Sequence, residues 1–184
     1  MRLLIFGPQG AGKGTQAALL APHWGIPHIS TGDIFRANIA SKTSMGRQVA
    51  AALAAGELVP DSVTQNMLAA RLLEADARRG FVLDGFPRTP EQAGWLDAYV
   101  EGEGLDAVIL LTVPDEELLH RTLQRGRDDD TAETIARRLA IYHETTEPLL
   151  RFYGPLVIPV DGNRPVALVH QELIAAVTNI TTAV

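Results

Sequence analysis

The stretch Gly7-Pro8-Gln9-Gly10-Ala11-Gly12-Lys13-Gly14-Thr15 sets four glycines around one lysine, directly after the apolar run 2–6. It fits the spacing G-x-x-x-x-G-K between a strand and a helix. Glycine lets a backbone turn its N–H groups inward with no Cβ in the way. A helix N-terminus adds partial positive charge aimed at the same point. Lys13 adds a full charge, so the loop is built to cradle the phosphates of a nucleoside triphosphate. The common pattern puts a hydroxyl directly after the lysine. Here that place is Gly14, and the hydroxyl belongs to Thr15. The displacement weakens the expectation of a direct loop ligand to Mg²⁺ and leaves phosphate binding intact.

A hydrolase needs one phosphate site, whereas a kinase needs a second, and the sequence supplies candidates for it. "FVLDGFPRT" (81–89) ends a strand on Asp84. An acid at the carboxyl edge of an open sheet faces the ligand crevice, where it can hold a water bound to Mg²⁺. Gly85 and Pro87 turn the chain, and Arg88 then offers a planar, bidentate cation. "STGDIFR" (30–36) reads as a helix start capped by Ser30 or Thr31, with Arg36 one turn beyond Gly32 on the same face. Arg121, Arg125 and Arg127 precede the acidic loop Asp128-Asp129-Asp130, and Arg137 and Arg138 follow it. A solvated face is the ordinary explanation for such a run. Flanking a short loop in a chain with a phosphate cradle, these arginines become candidates for the transferred group. The three aspartates are expected chiefly to serve the N-terminus of the next helix, with arginine tethering secondary.

These groups need a scaffold. Strand-like runs occupy 2–6, 26–30, 81–84, 107–113 and 156–160, and helical stretches 13–23, 61–79, 90–101, 114–125, 131–152 and 165–178. Continuous apolar strands alternating with helices predict an α/β fold with a parallel sheet. Residues 30–59 are helical in composition and read as a small insertion, and 126–132 as a short charged loop. At 184 residues the chain suits one domain.

Composition narrows the rest. The chain is 46% hydrophobic and 21% charged, with formal net charge −6. That balance disfavours non-specific nucleic-acid binding, which needs a basic face. No apolar run approaches the roughly 18 residues of a membrane span, and the run after Met1 is too short for a signal peptide. A cytoplasmic protein is expected. There are no cysteines, and His23, His28, His120, His143 and His170 lack metal-ligand spacing, so no zinc site is expected.

Taken together, "GPQGAGKGTQ", "ISTGDIFR", "GELVPD", "LDGFPRT" followed by "EQ", "RGRDDD" and "ARRLAIYHETTEPLLRFY", in this order, resemble the adenylate kinase family nearly end to end. The glycine after Lys13 is that family's variant. The resemblance implies a P-loop kinase fold with a five-stranded parallel sheet: a core of 1–29, 60–125 and 133–184, a nucleoside-monophosphate-binding insertion at 30–59 and a lid at 126–132. It implies transfer from ATP to AMP giving two ADP, with Mg²⁺. Gly10, Ala11, Gly12, Lys13, Gly14 and Thr15 would hold ATP phosphates, with Arg125, and Arg121 and Arg164 near its base and ribose. Thr31, Arg36, Glu57, Leu58, Val59, Gly85, Phe86, Pro87, Arg88 and Gln92 would hold AMP, Gln92 reading its base. Lys13, Arg88, Arg125, Arg127 and Arg138 would neutralise the transferred group, the last two also reaching AMP, and Asp84 would hold Mg²⁺ through water. Only eleven residues separate Arg125 from Arg137, so the lid is short. A monomer acting on small molecules is expected. Two rivals stand beside this reading: a UMP/CMP kinase of similar build, and a nucleotide-binding module without transfer.

Overall fold

The computed structural model describes residues 1–100 and 104–182. Its centre is a parallel sheet of five strands, β1 (Arg2–Phe6), β2 (His28–Ser30), β3 (Phe81–Asp84), β4 (Ala107–Thr112) and β5 (Val157–Asp161), in the order β2-β3-β1-β4-β5. The expected α/β architecture is therefore present. Continuous apolar strands are explained by burial on both faces. Leu3 and Ile5 join one core with Val82, Ile109 and Leu111; Leu4 and Phe6 join the other with Leu83 and Val108. Strand alternation thus feeds two cores from one run of sequence.

Helices cover both faces. α1 (Lys13–Trp24) places Ala17 and Leu20 in the first core. α2 (Thr31–Ala40) and α3 (Ser44–Ala55) form the helical segment expected at 30–59. α4 (Asp61–Leu72) and α5 (Pro90–Tyr99) place Met67, Leu68, Ala93 and Leu96 in the second core. α6 (Asp115–Arg125) and α7 (Ala132–Ile141) flank the acidic loop, α8 (Leu150–Tyr153) is a single turn, and α9 (Val166–Thr182) returns to the first core. The helices leaving the adjacent strands β1 and β3 lie on opposite faces. The crevice this opens at the strands' carboxyl ends is where ligands of such sheets bind.

Several expectations are corrected. The helix expected over 61–79 ends at Leu72, and Ala77–Arg79 is a separate 3-10 turn. Arg71 fixes the break by holding both oxygens of Asp76, at 2.9 and 2.8 Å. The helix expected over 131–152 is interrupted by a π turn at Tyr142–Thr146 and a 3-10 turn at Glu147–Leu149. Pro148 has no N–H and its ring crowds the preceding turn, so the helix widens before it. β1 and β3 keep their expected bounds, other strand and helix ends move by at most four residues, and position 101 of the helix expected at 90–101 lies outside the described residues. The aspartates do not cap α7. Thr131 does, its hydroxyl accepting from the Thr134 N–H at 3.2 Å in a reciprocal capping box.

Candidate active site

The loop after β1 lies against α6. Gly10 has φ +90°, and a Cβ there would stand 2.7 Å from Thr122 Oγ1 and 2.8 Å from the Leu118 carbonyl, so only glycine fits. Lys13 begins α1 and folds back to donate to the Pro8 carbonyl at 2.8 Å. Lys13 is partly buried where it lines the cavity. Desolvation lowers its pKa from 10.5 to about 8; Asp84 opposes the shift, and Arg88, Arg125 and Arg127 reinforce it.

Beside the loop, β3 pairs with β1 so that Asp84 stands opposite Ile5. Burial pushes the Asp84 carboxyl up, but the neighbouring His28 ring and the charges of Lys13 and Arg88 outweigh it and hold it below the usual carboxylate range. His28 Nε2 lies 3.7 Å from Asp84 Oδ2. A Cβ at Gly14 would lie 3.6 Å from the same oxygen, so the position that commonly bears a hydroxyl side chain instead leaves the carboxylate uncrowded. An anionic carboxylate with open space beside it suits Mg²⁺, which is bound through few carboxylates and several waters.

The turn after Asp84 runs through a cis Phe86–Pro87 peptide. Gly85 has φ +82°, and a Cβ there would meet Thr31 Oγ1 at 2.8 Å. The Thr31 hydroxyl donates to the Gly85 carbonyl at 3.0 Å, and Ser30 is the residue that caps α2. Arg88 Nε donates to the Gly85 carbonyl at 2.8 Å, which fixes the guanidinium plane. Burial lowers the Arg88 pKa against the pull of Asp84, with Arg138 and Arg36 adding repulsion. Gln92 is buried behind this turn.

The acidic loop holds the remaining arginines. Asp130, whose side chain has no solvent exposure, accepts from Arg125 Nε at 3.0 Å and Nη2 at 2.7 Å, and from Gln9 Nε2 at 2.8 Å. Arg138 donates to Asp129, to Gln9 Oε1 at 3.1 Å and to the Leu53 carbonyl at 2.9 Å. Arg137 pairs with Glu57 at 2.5 Å, and Arg127 Nη2 lies 3.7 Å from Asp33, which also binds Arg36. The acidic loop is thus an arginine tether, the role the sequence placed second. Arg121 donates to the Gly162 carbonyl at 3.0 Å and to Asn163 Oδ1 at 2.8 Å, and Arg164 pairs with Glu172.

Every site residue expected from sequence lines one cavity of about 950 Å³: the loop 10–15, Thr31, Arg36, the segment 57–59, Asp84, the turn 85–88, Gln92, Arg121, Arg125, Arg127, Arg138 and Arg164. Sequence reasoning missed Gln9, His28 and Thr146, which also line it. Gln9 occupies a variable place in the loop pattern, and nothing in its type marks it. Among the described residues, no cluster of three or more His, Asp or Glu is arranged to hold a metal by itself, and no helix is long and apolar enough to cross a membrane.

Residues 5–156 match the family model described as adenylate kinase. The chain belongs to the adenylate kinase family. Its activity is that of the family, phosphoryl transfer from ATP to AMP. It is 49% identical to the adenylate kinase of Nocardia farcinica over 178 residues, 96% of this chain and 98% of that one. It is 52% identical to that of Mycobacteroides abscessus over 164 residues, covering 88% and 91%. The adenylate kinase of Corynebacterium urealyticum is 48% identical over 178 residues, covering 96% and 98%. Membership favours adenine nucleotides over the UMP/CMP reading, and a phosphotransferase over a binding module.

Proposed function

We propose that this cavity holds both nucleotides of the adenylate kinase reaction at once, end to end. The observation that carries this is the convergence of six cations, Lys13, Arg36, Arg88, Arg125, Arg127 and Arg138, on one cavity, where carboxylates hold Arg36, Arg125 and Arg138 in the free protein. Lys13 feels the charges of Arg88, Arg125 and Arg127, while Arg88 feels those of Arg138 and Arg36. Such repulsion in one cavity is relieved by polyphosphate. Residues 10–15 and Arg125 hold ATP phosphates, with Arg121 and Arg164 toward its base and ribose. Thr31, Arg36, the segment 57–59, the turn 85–88 and Gln92 hold AMP, with Arg127 and Arg138 reaching its phosphate. The acceptor is a phosphate oxygen already anionic at neutral pH, so no general base is assigned. Lys13, Arg88, Arg125, Arg127 and Arg138 act by aligning the two phosphates and matching the charge of the transferred group. Asp84 would hold Mg²⁺ through water; when bound, that ion supplies further charge neutralisation at the ATP phosphates.

The carboxylates of Asp129 and Asp130 occupy Arg138 and Arg125 when phosphates do not. Residues 30–59 act as a moving AMP-binding segment and 126–132 as a lid, which exchange these ion pairs for nucleotide and expel water. Water is the competing acceptor, so ATP hydrolysis without AMP is expected to be slower than transfer by at least about 10³-fold. Phosphorus NMR with Mg-ATP, with and without AMP, checks this; comparable rates would rule out closure as the gate. The protein works as a cytoplasmic monomer on small molecules.

The lowered Lys13 pKa gives a second test. In the free protein Lys13 loses its proton as pH rises through about 8. Bound phosphate favours the charged form, so ATP binding takes up a proton there. Calorimetry in two buffers of different ionisation enthalpy should show uptake approaching one proton at about pH 9 and almost none at about pH 6.5. No uptake at the higher pH would mean Lys13 does not face the phosphates.

A further inference from the structure

The placing of Gln92 at the AMP base leaves open which way its amide points, and a backbone N–H together with a carboxylate outside the cavity sets it. Gln92 is 2% exposed. Its Oε1 accepts from the Arg88 backbone N–H at 2.8 Å, and its Nε2 donates to Asp61 Oδ1 at 2.6 Å. A backbone N–H only donates, and a carboxylate only accepts. One orientation of the amide satisfies both neighbours, and the inverted one sets donor against donor and acceptor against acceptor. Asp61 is itself fixed. Thr89 Oγ1 donates to Asp61 Oδ2 at 2.8 Å and accepts from the Gln92 backbone N–H at 3.2 Å, which closes a ring of three residues. Asp61 opens α4, two residues beyond Val59, and is not among the residues lining the cavity.

We infer that Asp61 is a positioning residue that fixes base specificity by locking the Gln92 amide. This rests on Gln92 reading the AMP base. Each amide atom keeps one hydrogen-bonding direction after these two bonds, a second N–H and a second lone pair. Adenine presents a 6-amino donor beside an N1 acceptor, which this orientation matches. A 6-oxo purine presents an acceptor beside an N1–H donor and requires the inverted amide. Inversion would turn Gln92 Oε1 onto the Asp61 carboxylate and its NH2 onto the Arg88 N–H. Asp61 therefore works against 6-oxo purines as much as for adenine.

The test compares AMP with inosine monophosphate as acceptors in the wild type, Asp61→Ala, Asp61→Asn and Gln92→Ala. In Asp61→Ala the AMP-over-IMP ratio of kcat/KM should fall about tenfold or more, mostly through a higher KM for AMP, with the KM for ATP unchanged. Asp61→Asn keeps one acceptor for two donors and should lie between wild type and alanine; if Asp61→Ala does not fold, this isosteric variant carries the test. If Gln92→Ala keeps the wild-type ratio, Gln92 does not read the base, and the site reading beneath the inference fails. If Gln92→Ala loses the ratio while both Asp61 variants keep it, the inference about Asp61 alone is overturned. Equal losses for AMP, IMP and ATP in the Asp61 variants would assign Asp61 a purely structural role and overturn it as well.

Discussion

Arg88→Lys should lower kcat by about 10²–10³-fold and leave the melting temperature within a few degrees of wild type. The charge survives this change, so the loss isolates geometry. Arg88 Nε is bound to the Gly85 carbonyl at 2.8 Å, and the Thr146 hydroxyl holds the Arg88 carbonyl at 3.2 Å. That anchor sets the plane of the guanidinium and leaves its two Nη nitrogens for phosphate oxygens. A lysine has one ammonium, which either satisfies Gly85 or reaches the phosphate. Catalysis by alignment without a base is sensitive to this, because misplacing one phosphate by about 1 Å costs on the order of 10² in rate. Steady-state kinetics with both nucleotides, together with a thermal melt, gives the answer. If Arg88→Lys keeps kcat within about fivefold of wild type, Arg88 supplies only charge, and the alignment argument for this residue is wrong.

The core and the glycine loop between β1 and α1 were legible because local rules and tertiary structure agree there. A continuous apolar run such as 2–6 has few stable settings other than a strand covered on both faces, and the glycines after it suit a tight anion-binding turn. That the candidates for a second site share one cavity with the glycine loop was legible from chain order and type, since Asp84, Arg88 and Gln92 follow one strand end within nine residues. What stayed hidden depends on contacts far apart in sequence. Asp130 takes Gln9 as a partner across 121 positions, and Arg138 takes Leu53 across 85. A run of three aspartates before a helix offers its N-terminus a local partner, and the sequence favoured that partner. The arginines outcompete it, because a forked, charge-assisted pair is stronger than a cap that Thr131 already supplies. The π turn at Tyr142–Thr146 was hidden for a similar reason. Pro148 announces a disturbance, but only the fold shows that the chain widens rather than ends, which delivers Thr146 to the Arg88 carbonyl.

Lys13→Met should abolish most transfer and at the same time stabilise the protein at neutral pH. The activity loss is expected to be about 10²–10³-fold in kcat, since a full charge beside the transferred phosphate disappears. The stability gain follows from the cost of holding that charge. Desolvation brings the Lys13 pKa from 10.5 in the open chain to about 8 in the fold. The difference corresponds to roughly 3 kcal/mol against the folded state. The folded value is the lower one. The cost is therefore complete below about pH 8, fades as pH rises toward 10.5, and is gone above it. Methionine has similar length and no charge. It forfeits the bond to the Pro8 carbonyl, but that oxygen also accepts from the Ala11 N–H at 3.2 Å and is not orphaned. Allowing about 1 kcal/mol for the lost bond leaves a net gain of about 2 kcal/mol, or about 4–8 °C in melting temperature for a chain of this size. Melts of wild type and Lys13→Met at about pH 7 and about pH 10.5 check both sign and window: the variant should lead at the first and lose that lead at the second. A variant that melts below wild type at neutral pH would show that the fold does not strain to keep this lysine charged. A gain with transfer lost would mark Lys13 as a residue held for the reaction at the expense of the fold, as expected where an ammonium must wait, desolvated, for a polyphosphate.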